Sequence, residues 1–284
     1  MERGLKQRTI AIAALAGLTL ALQGCGLARV GDSLGQGVRQ NGDLATVEAG
    51  LPSYLLMIDG LIVNWPERES LLATGADLYG AYAGLFVDDP RRAARLNAKA
   101  LDYGLRAACA HDHAYCRARE MDVPALETLV AGADKGDVPA LFTLGAAWAG
   151  YIQTHSDDWN AVAELSRVRL LMERVVVLDE GYQHGQAHMY LGVLNSLLPA
   201  TLGGQPEQAR EHFLRAIALS DGDNLLARVF YAEHYARLVF DRELHDRQLR
   251  QVLDADVDVA DLTLQNAYAK REARRLLDSA DEYF

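Results

Sequence analysis

From residue 43 to the C-terminus the chain carries a helical period and almost no strand-like alternation. That confines it to architectures in which helices pack on helices. In Pro206–Leu219, the residues Ala209, Phe213, Ala216 and Ile217 fall at i, i+4, i+7 and i+8 and share one face. Pro206 stands in the first turn, where its missing N–H costs no hydrogen bond, and Asp221-Gly222 ends the segment. The same reading predicts helices over Leu71–Ala83, Pro90–Arg106, Pro139–Tyr151, Glu164–Leu178 and Tyr190–Leu198. Asn224–Phe240, Arg242–Leu253 and Leu262–Ala280 complete the series. The expectation is an all-α chain of about eleven helices in one domain, 43–284, with short turns that make neighbours antiparallel.

Composition removes other classes. Half of the residues are apolar, too many for a disordered chain. Three cysteines do not make a disulfide scaffold. The net charge of -11 repels phosphate backbones, so no nucleic acid is expected as a partner.

The first 25 residues indicate the compartment. Arg3, Lys6 and Arg8 precede an uncharged run, Ile10–Leu22, that is too short to span a bilayer and suits a signal-peptide core. The run ends in Leu22-Gln23-Gly24-Cys25, which resembles a bacterial lipobox with Cys25 as the acylated residue. Residues 1–24 are then the signal peptide. Gly26 follows the cysteine where an inner-membrane retention signal would place Asp, which favours the inner leaflet of the outer membrane, facing the periplasm. Glycines punctuate residues 26–42, a flexible tether that completes the segment 25–42. The acyl chains are the expected membrane anchor.

Two segments echo the tetratricopeptide pattern, in which Leu-Gly on one helix lets the next approach closely. Leu191-Gly192 is followed by Ala209, Phe213 and Ala216, although Pro199–Gln205 lengthens the gap. Leu144-Gly145 with Trp148 repeats the first-helix part. Any helical hairpin also needs small residues where its helices cross.

The stretch from Leu197-Leu198-Pro199-Ala200-Thr201-Leu202-Gly203-Gly204-Gln205-Pro206 to Phe213 resembles the hallmark of the TatT family. These are periplasmic lipoproteins associated with TRAP (tripartite ATP-independent periplasmic) transporters. The resemblance extends to Leu61 with Trp65-Pro66, to Tyr79 and Tyr82, and to the tail from Asn266 to Asp281-Glu282-Tyr283-Phe284. Gln205 departs from it, standing where Asp would cap the following helix better. The resemblance implies an all-helical fold of cryptic tetratricopeptide-like hairpins, homotrimers, and a pore or groove through each protomer. It also implies a periplasmic solute-binding protein as partner.

Candidate chemistry is sparse. Cys109, His111, His113 and Cys116 are all zinc-ligand types, yet their spacing matches no common zinc module. A Cys109–Cys116 disulfide requires the helix to end between them, because seven helical steps separate Cα atoms by about 10.5 Å. A disulfide, two inert thiols and a metal site all stay open. The Asp254, Asp256, Asp258 and Asp261 run lacks the Gly and Glu of a calcium loop and reads as a solvated connection. Asp221-Gly222-Asp223-Asn224 reads as a helix stop followed by a cap. No Gly-x-Ser-x-Gly or phosphate loop is present, so no enzyme and no cofactor are expected. Trp148, Tyr151, Trp159, Tyr190 and Tyr231 are candidates for a ligand groove or for core. Asn195, on an otherwise apolar face, and nearby Pro199 are candidates for a pore lining. The expected function is a transport accessory that docks a solute-binding protein and binds or passes a small, apolar or amphipathic ligand. The rival is a scaffold lipoprotein that binds envelope-assembly proteins.

Overall fold

The computed structural model describes residues 35–284. The expected signal peptide, Cys25 and most of the tether lie outside the described residues. Among those described there is no strand, and thirteen α-helices follow one another. They are α1 (Leu44–Asn64), α2 (Glu69–Phe86), α3 (Pro90–His111), α4 (Val123–Ala131), α5 (Val138–Thr154), α6 (Trp159–Ala163) and α7 (Leu165–Asp179). Then come α8 (Gln186–Asn195), α9 (Pro206–Leu219), α10 (Leu225–Phe230), α11 (Arg242–Asp254), α12 (Thr263–Asp278) and α13 (Ala280–Tyr283). The helix α10 runs on into a single π-helical stretch, Tyr231–Ala236.

Local chemistry fixes many boundaries. The carboxylates of Asp43, Asp89, Asp122 and Asp241 accept hydrogen bonds from first-turn N–H groups of α1, α3, α4 and α11. Pro90 and Pro206 occupy first turns, as expected. Gln205 makes no side-chain cap; its N–H instead donates to the Asn195 carbonyl at 3.0 Å. The helix α8 ends at Asn195 rather than at the expected Leu198, because the Ser196 hydroxyl turns back to the Gly192 carbonyl at 2.7 Å. The Asp221–Asn224 segment does stop α9, with Asp221 and Gly222 both left-handed. The cap expected from Asn224 comes from elsewhere. Buried Asn266, on α12, accepts from the Leu225 N–H at 3.1 Å and donates to the Asp223 carbonyl at 2.9 Å.

Small residues set the distances between neighbouring helices. A Cβ added at Gly192 would meet the Phe213 ring at 2.7 Å, so α8 and α9 cross at a point only glycine permits. At Gly145 the same atom would meet Met172 on α7 at 2.8 Å, and at Gly104 it would meet Ala147 on α5 at 3.2 Å. Leu141, Leu144, Trp148, Leu171 and Met172 fill the central core. Leu51, Leu72, Tyr79 and Tyr103 fill the N-terminal one, and Leu249, Val252, Ala273 and Leu276 the C-terminal one.

The array returns on itself. Leu264 of α12 joins the buried cluster of α1–α3. Arg271 of α12 donates to the carbonyl of Leu85, at the end of α2, at 2.7 Å across 186 residues. Gly42 lies against Thr263, and Arg39 pairs with Asp261 at 3.6 Å. The last long helix thereby closes onto the first hairpin.

Gly192→Ala is expected to cost about 1–3 kcal/mol, the usual penalty for overpacking a tight contact. It should lower the urea midpoint. Gly50→Ala, whose Cβ would meet nothing within 4 Å, should leave the midpoint unchanged or raise it.

Candidate functional site

Closure of the array gives the inward faces of its helices an environment that no single hairpin provides. Asp77 lies midway along α2 and is exposed to solvent contact. Enough protein nevertheless surrounds it that desolvation pushes its carboxyl up to about 6, with the charge of Arg39 pulling it down. Asp77 thus touches solvent on a face of α2 that the surrounding chain partly encloses. Thr74, Ala81 and Gly84 continue its stripe on α2 and leave room beside it.

Two tyrosines feel the charge of Asp77, and one phenylalanine packs against both. Phe142 of α5 meets Tyr182, in the turn before α8, with centroids 5.4 Å apart and rings edge to face. It meets Tyr190 of α8 in the same manner at 6.0 Å. Burial and then the charge of Asp77 push the Tyr190 hydroxyl up to about 12. Burial also raises Tyr182, where Asp77 and Asp179 add to the effect and a Gln183 hydrogen bond opposes it. One turn from Tyr190, Gln186 donates to Gln265 at 3.3 Å, and Gln265 donates to Asn224 at 2.6 Å.

A second feature is the loop between α8 and α9. Gly203 is left-handed (φ 89°), and a Cβ at Gly204 would collide with the Leu198 carbonyl. The two glycines wind the loop so tightly that Leu197, Leu198 and Leu202 turn outward, with Leu202 67% exposed. At its base Asn195 is buried. Its Oδ1 accepts from Arg169 at 2.7 Å, while its Nδ2 has no partner among the described residues.

The residues singled out from sequence do not line one surface. Trp148 is fully buried, with its indole N–H bonded to Glu164 at 2.8 Å, which places it in the core between α5 and α7. Tyr151 is half-buried beneath Arg119 (4.6 Å) and stacked on His155 (4.2 Å). Trp159 is 84% exposed on the short α6. Tyr231 is buried between Phe213 (5.8 Å) and Tyr235 (5.2 Å). Asn195 closes α8 and Pro199 lies in the α8–α9 loop, and Tyr190 packs edge to face on Phe142. Asp77, Phe142, Tyr182 and Gln265 escaped the sequence reading. One signal was available: Asp77 is the only charged residue between Ser70 and Phe86.

The cysteine cluster resolves locally. The helix α3 ends at His111 and extended Asp112 turns the chain, bringing the Cys109 and Cys116 Cα atoms to 4.3 Å in a disulfide. His111 is drawn off to Asp137 (2.8 Å) and Glu69 (2.9 Å), which hold its pKa above the ordinary value. In the acidic run, the Asp258 N–H folds onto the Asp256 carboxylate and Asp261 pairs with Arg39.

These architectural features define a closed all-helical protein with an outward apolar loop. A family model described as TRAP transporter T-component matches residues 40–284, nearly the whole described chain, and the protein belongs to that family. No curated protein matches it. Membership makes the chain a component of a TRAP transport system, at the cell envelope.

A second polar group joins α8 to α9. The Nδ1 atoms of His188 and His212 lie 2.7 Å apart, so one ring donates to the other. Glu180 faces His188 at 3.1 Å and is itself held down to about 2, chiefly by its hydrogen bonds to Arg215. Burial depresses both imidazoles, His212 to about 4, with His188 and then Arg169 adding to the effect. Groups with lowered folded pKa values bind fewer protons in the native state below pH 6.5. Their stability contribution is present above pH 6.5 and is lost as pH falls toward 4. His111, raised instead, contributes most below pH 6.5 and loses that contribution as pH rises through its folded value. Asp77 and His111, both raised, gain stability over the same interval, so the test is a difference: from pH 7 to pH 5 the urea midpoint of His212→Gln should fall less, or rise more, than that of the wild type.

Proposed function

We propose that the protein is the lipid-anchored periplasmic accessory of a TRAP-type transporter, docking the solute-binding protein and holding or passing a small ligand. Membership of the T-component family across residues 40–284 carries this reading. Cys25 is the acylated anchor, placing the domain at the inner leaflet of the outer membrane. The protein performs no chemistry of its own. The ligand is received on the face of α2 that carries Asp77, and the partner by the loop carrying Leu197, Leu198 and Leu202. Exposed apolar side chains on a backbone held by Gly203 and Gly204 lose little entropy on binding, which favours them as anchors.

The test is capture of the TRAP solute-binding protein from membranes by the acylated protein, with mass spectrometry of what co-elutes. Stoichiometric solute-binding protein is expected. The double variant Leu198→Asp, Leu202→Asp should reduce that capture at least tenfold while leaving the circular dichroism spectrum unchanged. Envelope-assembly proteins in its place, after crosslinking, would turn the reading to a scaffold.

Self-association belongs to the same proposal. The outer face of α1 exposes Leu56 (73%), Met57 and Val63 (79%), followed by Trp65. This is a longer unbroken apolar stripe than single surface side chains make. We assign it to the contact between protomers of a homotrimer. Leu56→Asp with Val63→Asp should convert a trimer to a monomer by light scattering; a trimer that persists would move the interface elsewhere.

A further inference from the structure

Where the last long helix closes onto the first, an open cleft of about 440 Å³ remains. It is lined by residues 42–45, where the chain enters α1, and by Lys270, Arg271 and Arg274 of α12. Spacings of three and four residues put Lys270, Arg271 and Arg274 on one side of the helix, an arrangement in which like charges repel unless a counter-charge joins them. The protein supplies little of that counter-charge. Lys270 donates to the Leu253 carbonyl at 3.0 Å, which occupies one N–H and neutralises nothing. Arg271 donates to the Leu85 carbonyl at 2.7 Å and meets Glu272 at 3.4 Å, a carboxylate that Arg275 also holds at 2.6 Å. Exposed Arg274 makes no hydrogen bond or ion pair among the described residues. Asp43 is the only carboxylate in the lining, and it is engaged in capping α1, accepting from the Ala45 N–H at 3.1 Å and the Thr46 hydroxyl at 2.6 Å. The chain as a whole carries a net charge of -11, so this cleft is a basic exception on a protein that an anionic membrane otherwise repels.

We propose that the cleft takes the phosphate of an anionic phospholipid headgroup from the bilayer that carries the protein, with Lys270, Arg271 and Arg274 as its donors. This rests on the reading of Cys25 as the acylated anchor and adds a second, headgroup-specific contact to it. Seventeen residue steps join Cys25 to Gly42, at most about 60 Å of extended chain, and Gly42 itself lines the cleft. The anchor therefore holds the cleft at a high effective concentration of headgroups, where even a weak site is occupied. An open cleft suits a headgroup that stays attached to its bilayer, whereas a free small molecule is normally enclosed on most of its surface. The forked donors of arginine match phosphate oxygens, and the lysine adds a point charge.

The experiment uses the full chain carrying Cys25→Ser, so that binding to vesicles does not run through acyl chains. Sedimentation with phosphatidylcholine vesicles containing 30% phosphatidylglycerol, whose phosphate is its only charge, is compared with phosphatidylcholine alone. The expected result is partitioning at least tenfold stronger onto the anionic vesicles, abolished by 1 M salt. Lys270→Gln with Arg274→Gln should remove at least tenfold of it. Arg247→Gln with Arg250→Gln, which deletes the same charge from α11, should leave it within twofold. Should the first pair fail to fold, Arg274→Glu alone, on an exposed side chain, should weaken partitioning at least fivefold. Equal loss in both double variants would overturn the cleft in favour of general charge attraction. Binding of glycerol phosphate by calorimetry without binding to vesicles would overturn the lipid as the source of the phosphate. Mass spectrometry of wild-type protein from membranes separates the two readings: acylated Cys25 with no vesicle binding by the Cys25→Ser chain would overturn the cleft proposal alone, and unmodified Cys25 would overturn the anchor and the proposal together.

Discussion

The return of α12 onto the first hairpin is the contact on which the rest of the structure depends. Helical hairpins added in series make an open array unless something joins the ends. Here Leu264 enters the N-terminal core, Arg271 reaches the Leu85 carbonyl at 2.7 Å, and Asn266 caps α10 from the same helix. One helix therefore seals the array and supplies a remote cap.

Glycines do the complementary work of bringing helices near enough. Gly104, Gly145 and Gly192 each stand where a methyl group would collide with, or crowd, a side chain of the next helix. Repeated close approach gives the hairpins their packing, and Gly203 with Gly204 gives the α8–α9 loop its outward leucines.

Legibility in the sequence tracked the range of the interaction concerned. Helical content and most boundaries were visible because period, Asp caps and Pro at first turns act within a few residues. Misjudged boundaries mark longer-range control: Asn224 was read as a side-chain cap, but the bonds come from Asn266, 41 residues away from Leu225. The Cys109–Cys116 pair was constrained by helix geometry to need a break, which Asp112 provides. Among the groove candidates, Trp159 is exposed, whereas Trp148 is sealed in the core with its N–H satisfied by Glu164. Aromatic type does not distinguish these fates, because both rings are large and carry a polar tip.

The sequence alone determined that this chain is all-α and acidic, carries a lipobox-like start, and bears the Pro-x3-Gly-Gly hallmark of its family. Each is a property of composition or of neighbouring residues. Tertiary structure alone decided that Phe142 packs on Tyr182 and Tyr190, and that Leu197, Leu198 and Leu202 face outward. It also decided which helix closes the array. Those outcomes join positions tens to nearly two hundred residues apart, and the forces that join them, burial and electrostatics, depend on where chain segments meet rather than on their order.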